Sequence, residues 1–141
     1  MTIEEKVREI AAEFEGYEYV FEDWNTADKV LDKLPLPAII LILPVSGVIS
    51  IGKYGHVRDA VNCALAFVDK VPKEADGQEN GEVYNDMKQT ARQFVAKINE
   101  SGYFVPITGD IAYNVIYEQL SCIVTGVVLQ LQLKELVGGC E

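Results

Sequence analysis

Few residues in this 141-residue chain are of types that do chemistry, and their spacing limits what each can be asked to do. His56 is the single histidine, in Tyr54-Gly55-His56-Val57-Arg58-Asp59. A catalytic base there would need a nucleophile or carboxylate beside it, and Ser46, Ser50 and Asp59 qualify by sequence proximity alone. A partly solvated histidine at a loop or strand start is the expectation. The carboxylates Asp69, Glu74, Asp76, Glu79, Glu82 and Asp86 are dense enough to suggest a cation site. Asp76-Gly77-Gln78-Glu79-Asn80-Gly81-Glu82, however, lacks the register of an EF-hand loop, with its alternating oxygen ligands and terminal glutamate. It reads as a solvated acidic loop entering a helix, where Glu82 complements the helix dipole. A metal-dependent hydrolase built on His56 and these acids is therefore set aside.

The other chemical candidates fall away in the same manner. Cys63, Cys122 and Cys140 are odd in number and no pair has metal-ligand spacing. Cys63 and Cys122 sit in apolar runs, as small buried thiols do, and Cys140 follows Gly138-Gly139 as an exposed one. This usage points to a reducing compartment rather than a disulfide-stapled secreted protein. Gly47, Gly52 and Gly55 flank a Gly52-Lys53 pair, but the Walker spacing and its Ser/Thr ending are missing. No catalytic set, cofactor site or metal site is expected, and so no enzyme.

What remains is surface of the kind used for contact. Tyr54, Tyr84, Tyr103, Tyr113 and Tyr117, with Trp24, are amphipathic anchors enriched at interfaces. At strand spacing such residues also serve as cross-strand packing. Gln130, Gln132 and Lys134 form a strand face that is polar but nearly uncharged, as suits a face meeting another chain or solvent. The candidate interface residues are Tyr113, Tyr117, Gln130, Gln132, Trp24 and Tyr54.

The elements that must position them are written in the hydrophobic periods. Thr2 and Glu5 form a capping box for a first helix with the stripe Ile3, Val7, Ile10, Ala11 and Phe14, closed by Gly16. Tyr17 to Phe21 reads as a short strand. Asn25 or Thr26 caps a second helix with the face Ala27, Val30, Leu31 and Leu34, ended by Pro35 and Pro37. Ala38 to Leu43 is a continuous aliphatic run, as in a strand covered on both faces. Pro44-Val45-Ser46-Gly47 is expected to turn the chain and Val48 to Ile51 to return as its hairpin partner. Val57 to Val71 fits both periods, and a strand is favoured because Val48–Ile51 needs another neighbour. Residues 72–81 form an acidic loop, and Asn80 is expected to cap a third helix with the stripe Val83, Met87, Ala91, Phe94, Val95 and Ile98, closed by Gly102. Two alternating strands follow. Ile111, Tyr113, Val115 and Tyr117 lie on one side of the first, and in the second Val127 and three leucines alternate with Val128, Gln130 and Gln132. The sum is one α+β domain over residues 1–141, an antiparallel sheet flanked by about three helices.

Charge and hydropathy bound the setting. Twelve Lys and Arg against 22 Asp and Glu give a net charge of -10, densest in acid over residues 1–36. Without a basic cluster to neutralise phosphates, direct nucleic-acid binding is not expected. The acidic N-terminus does not read as a signal peptide. The strongest apolar run, Leu34 to Ile51, is broken by Pro35, Pro37, Pro44 and Gly47 and is too short to span a bilayer as a helix, so no membrane partner is expected either.

The chain resembles the small tail-completion proteins (tail-terminator, head–tail joining) of long-tailed bacteriophages and prophages. The resemblance spans most of the chain: the acidic first helix, Leu43-Pro44-Val45-Ser46-Gly47, and Ala66-Phe67-Val68-Asp69-Lys70. It continues through Asp76 to Glu82, Ala91-Arg92-Gln93-Phe94, Thr125-Gly126-Val127, and Leu133-Lys134-Glu135-Leu136. It implies a tail-terminator-like fold and a non-enzymatic subunit that assembles as a homo-oligomer, commonly a hexameric ring, with other tail or neck proteins as partners. The setting implied is the cytoplasm during assembly, then the virion or tail-like particle. The alternative from another class is a small-ligand or peptide-binding module with a pocket between the third helix and the sheet, near Trp24 or Tyr54.

Overall fold

The computed structural model describes residues 2–22, 37–55, 57–70, 77–119 and 124–135. Helix α1 spans Ile3–Ala11, followed by β1 (Glu18–Glu22), β2 (Ala38–Ile51), β3 (Val57–Lys70), α2 (Gly77–Ser101), β4 (Ala112–Gln119) and β5 (Val124–Lys134). The chain is α+β, as its order of periods predicts. The five strands form one sheet in the order β1-β2-β3-β5-β4. That sheet is mixed rather than antiparallel, because β1 runs parallel to β2, Glu18 beside Ala38 through Glu22 beside Ile42. Parallel pairing requires a crossover between the two strands. The helix expected at Asn25–Leu34 lies outside the described residues, which contain two helices rather than about three.

Helix α1 begins where its first turn is satisfied. Thr2 Oγ1 accepts the Glu5 N–H at 3.2 Å and the Glu5 carboxylate accepts the Thr2 N–H at 3.3 Å, which completes the capping box. Helix α2 starts at Gly77, so Asn80 is not its cap as expected. Asn80 is buried inside the helix, where its Oδ1 accepts from Thr125 Oγ1 of β5 at 2.7 Å. A buried amide is stable only with such partners, and this one ties the first turns of α2 to the sheet. Gly102, at a φ of 76°, closes α2 in the left-handed region that favours glycine.

Both helices lie on one face of the sheet. Val7 and Ile10 of α1 and Met87, Phe94 and Ile98 of α2 pack against Leu41, Phe67 and the leucines of β5. Phe94 stacks on Phe14 at 5.3 Å and meets Phe67 edge-on at 5.5 Å, which joins the turn after α1 to α2 and β3. The alternate residues Ile40, Ala66, Val68, Ile116 and Val128 form a second buried cluster on the opposite face. Burial on both faces explains the unbroken aliphatic run of early β2 and the buried start of β5.

Residues 57–70 are strand, which resolves the double reading of that segment. The expected hairpin at Pro44 does not form. Strand β2 continues to Ile51, and its register on β3 shifts between Ile42, opposite Ala64, and Ser46, opposite Asn62. Two extra residues on β2 are taken up there as a bulge. Proline, lacking an N–H, is tolerated in a sheet at such an irregularity. Gly47 is likewise not a turn residue. A Cβ there would stand 2.7 Å from the Ala60 carbonyl oxygen, so glycine permits close strand approach. The reversal comes after Ile51, where Gly55 at φ 82° donates its N–H to the Gly52 carbonyl at 3.0 Å.

Candidate functional site

The bulge carries the chain past its neighbour and creates an arm. Among the described residues, strand β1 covers β2 along Ala38–Ile42. From Ser46 to Ile51 the inner edge of β2 pairs with β3, and no strand among the described residues covers its outer edge. On the other side, among the described residues, β5 accompanies β3 from Lys70 to Ala60, with Glu135 donating its N–H to the Asp59 carbonyl at 3.0 Å. Among the described residues, Ser46–Ile51 and Val57–Asp59 therefore stand as a two-stranded ribbon.

The side chains of this ribbon are apolar and open. Ile49 is 69 % exposed, Ile51 75 %, Val57 63 %, Val48 53 % and Tyr54 82 %. Ile51 stands opposite Val57 and Ile49 opposite Asp59, in the same phase as Val61 and Cys63, which pack under the helices. The ribbon thus extends the core-facing side of the sheet beyond the helices that cover it elsewhere. Val48 and Ser50 lie on the reverse, with a polar row at the base. Asn62 Nδ2 donates to Ser46 Oγ at 3.0 Å, and Gln132 Nε2 donates to Asn62 Oδ1 at 3.2 Å. A free strand edge bearing exposed branched aliphatic residues is a template for pairing with another strand.

Charge marks the same segment. Residues 33–58 contain no Asp or Glu in a chain with 22 of them; within the ribbon Lys53 and Arg58 are the cations and Asp59, opposite Ile49, is the acid. Identical chains of net charge -10 repel one another, so an acid-free segment is where they can approach most closely.

The residues singled out for contact are dispersed rather than gathered. Tyr54 stands in the turn of the ribbon and Gln132 at its base. Gln130 is exposed on the same sheet face as Gln132. Tyr113 belongs to β4, at the opposite edge of the sheet, 43 % exposed on the helix side. Trp24 and the side chain of Tyr117 lie outside the described residues. The aliphatic residues Val48, Ile49, Ile51 and Val57, the main substance of the ribbon, were hidden by reading Pro44–Gly47 as a turn. The signal that could have found them is the acid-free run with apolar residues in both phases of a strand.

The chemical candidates resolve as follows. His56 lies outside the described residues, as do Cys122, Cys140, Glu74 and Asp76. No cluster of three His, Cys, Asp or Glu suited to a metal occurs among the described residues. Cys63 is buried, and desolvation pushes its thiol up to about 12. Its burial under α1 thus holds the thiol in the neutral form. No helix among the described residues is long and apolar enough to cross a membrane.

A cleft does lie between α2 and the sheet; Tyr54 is not among the described residues that line it, and Trp24 lies outside the described residues. Its floor is Ala91 and Val95 of α2 with Ile111, Val127 and Leu129, and its rim is Lys88, Arg92 and Tyr113. Lys88 Nζ donates to Tyr84 Oη at 3.1 Å and lies 5.3 and 5.1 Å from the centres of the Tyr84 and Tyr113 rings. The two phenol oxygens are 3.3 Å apart. The hydrogen bonds from Tyr84 and Lys88 lower the Tyr113 phenol below its ordinary range, while those to Tyr84 and Tyr113 raise Lys88 and hold it cationic. The sequence matches no protein-family model, and no curated protein is significantly similar to it.

Proposed function

We propose that this protein is a non-enzymatic structural subunit that works by associating with copies of itself, in the role that the resemblance to phage tail-completion proteins implies. One observation carries the reading: a strand edge, Ser46–Ile51, is left unpaired among the described residues while presenting Val48, Ile49 and Ile51 to solvent. Burying such side chains stabilises by about 1.5–3 kcal/mol each relative to exposure, so their display is costly unless a contact covers them. Strand addition at an edge also satisfies the open backbone groups. The acidic remainder fits a ring that lets DNA pass without holding it. Assembly at a phage or prophage neck or tail-tube end is the setting proposed, with tail or neck proteins as further partners.

Size-exclusion chromatography with light scattering, joined to negative-stain imaging, tests the reading. The expected result is a closed oligomer of the wild-type chain, alone or with tail-tube protein, and a monomer for Ile49→Asp/Ile51→Asp. A strict monomer at high concentration with no ring under either condition overturns it.

A further inference from the structure

The α2–β4 cleft stands at the edge of the sheet away from the ribbon, and what it can hold follows from its own chemistry. It is an open cleft of about 410 Å³, within the size range of small-molecule sites. The buried side chains of Ala91, Val127 and Leu129 make its floor apolar. Lys88 and Arg92, one turn apart on α2, both stand on its rim. The ion pairs found among the described residues engage Lys6, Arg8 and Lys97, and neither rim cation takes part in one. Arg92 donates to the neutral Gln89 at 3.2 Å, and Lys88 is held by phenols. In a chain with 22 carboxylates and 12 cations, two adjacent cations matched with neutral partners above an apolar floor form a local exception.

We propose that this cleft binds a small amphipathic carboxylate, its hydrocarbon body on the Ala91–Leu129 floor and its anionic head between Lys88, Arg92 and the Tyr113 hydroxyl. The guanidinium offers a planar fork that matches a carboxylate, and the ammonium adds a second charge-assisted hydrogen bond. Lys88 is already positioned by its two tyrosines, which reduces the ordering needed on binding. A neutral ligand of the same shape gains the floor but not the head contacts. A carboxylate head suits the two rim cations, and the apolar floor suits a hydrocarbon body. The site is independent of the ribbon and does not rest on the assembly reading.

Isothermal titration of the full-length protein with decanoate, and in parallel with decan-1-ol, tests the assignment. Saturable binding of one decanoate per chain is expected, with decanol weaker by about tenfold or more, the loss of a charge-assisted hydrogen bond. Lys88→Gln/Arg92→Gln, both on the rim, should weaken decanoate by at least that factor and leave decanol unchanged. Val95→Trp should block both ligands. If circular dichroism shows that this variant has lost its fold, the rim variant alone decides. Absence of saturable decanoate binding, equal affinity for the alcohol, or full retention by the rim variant would each overturn the proposal.

Discussion

At the scale of single residues, burial decides more than residue type. Cys63 has the chemistry of a nucleophile but lies between β2 and β5 under α1, and desolvation keeps its thiol protonated to about pH 12 against an ordinary 9.0. Tyr19 is shifted in the same direction, first by burial and then by the Glu4 carboxylate. The sign of the effect on stability follows from proton counting. Between the unfolded and folded pKa values the unfolded chain has released the proton that the folded chain retains. Stability conferred by the neutral thiol is therefore complete below pH 9 and is lost as pH rises toward 12. The expected slope for one such group approaches about 1.4 kcal/mol per pH unit, and Tyr19 adds to it above pH 10. Denaturant unfolding from pH 8 to 10 should show this decline, and Cys63→Ala should remove most of it below pH 10. An unchanged slope in that variant would mean that other groups carry the alkaline dependence.

Elements differ in how much of their structure local sequence can specify. The α2 stripe, the capping box of α1 and the alternation of Leu129, Leu131 and Leu133 with Gln130 and Gln132 were legible because each is a property of one segment's own period. Whether Pro44–Gly47 reverses the chain is not such a property. It depends on β3 being long enough to follow β2 past the irregularity, and both strands run to 14 residues. The parallel setting of β1 and the meeting of Lys88 with Tyr113 were hidden for the same reason, since each joins segments distant in sequence. Gly126 shows the dependence at one point. It lies where β5 passes β3 beside Val68 and β4 beside Ile116, and a Cβ there would fall 1.9 Å from the Phe67 carbonyl oxygen. No side-chain rotation relieves a clash with backbone, so β3 and β5 must part. Gly126→Ala should cost on the order of 3 kcal/mol or more, at the severe end for point substitutions. Thermal unfolding of the purified variant reads this directly. A melting temperature within a degree or two of wild type would mean that the two strands are less closely paired than their register indicates.

For the whole molecule, the balance between net charge and exposed apolar surface sets how copies meet. At -10 per chain, approach is opposed over distances comparable to the Debye length, roughly 20 Å at about 0.02 M salt and under 10 Å at about 0.15 M. The Ser46–Ile51 edge has the opposite character: Ile49 and Ile51 are apolar, the segment is free of acids, and its backbone groups face outward. Apolar burial and strand hydrogen bonds are little weakened by moderate salt, whereas the repulsion between acidic bodies is screened. If copies join through this edge, association must strengthen as sodium chloride rises from about 0.02 to about 0.3 M. Sedimentation velocity at fixed protein concentration should show the oligomer fraction growing over that range, with Ile49→Asp/Ile51→Asp remaining monomeric throughout. Contacts built on opposite charges, such as Lys53 or Arg58 against the acids of a neighbour's α1, behave in reverse and dissolve as salt is added. Dissociation by salt would therefore move the interface from the apolar edge to the cations beside it. Growth with salt that persisted in the double aspartate variant would move it off the ribbon altogether.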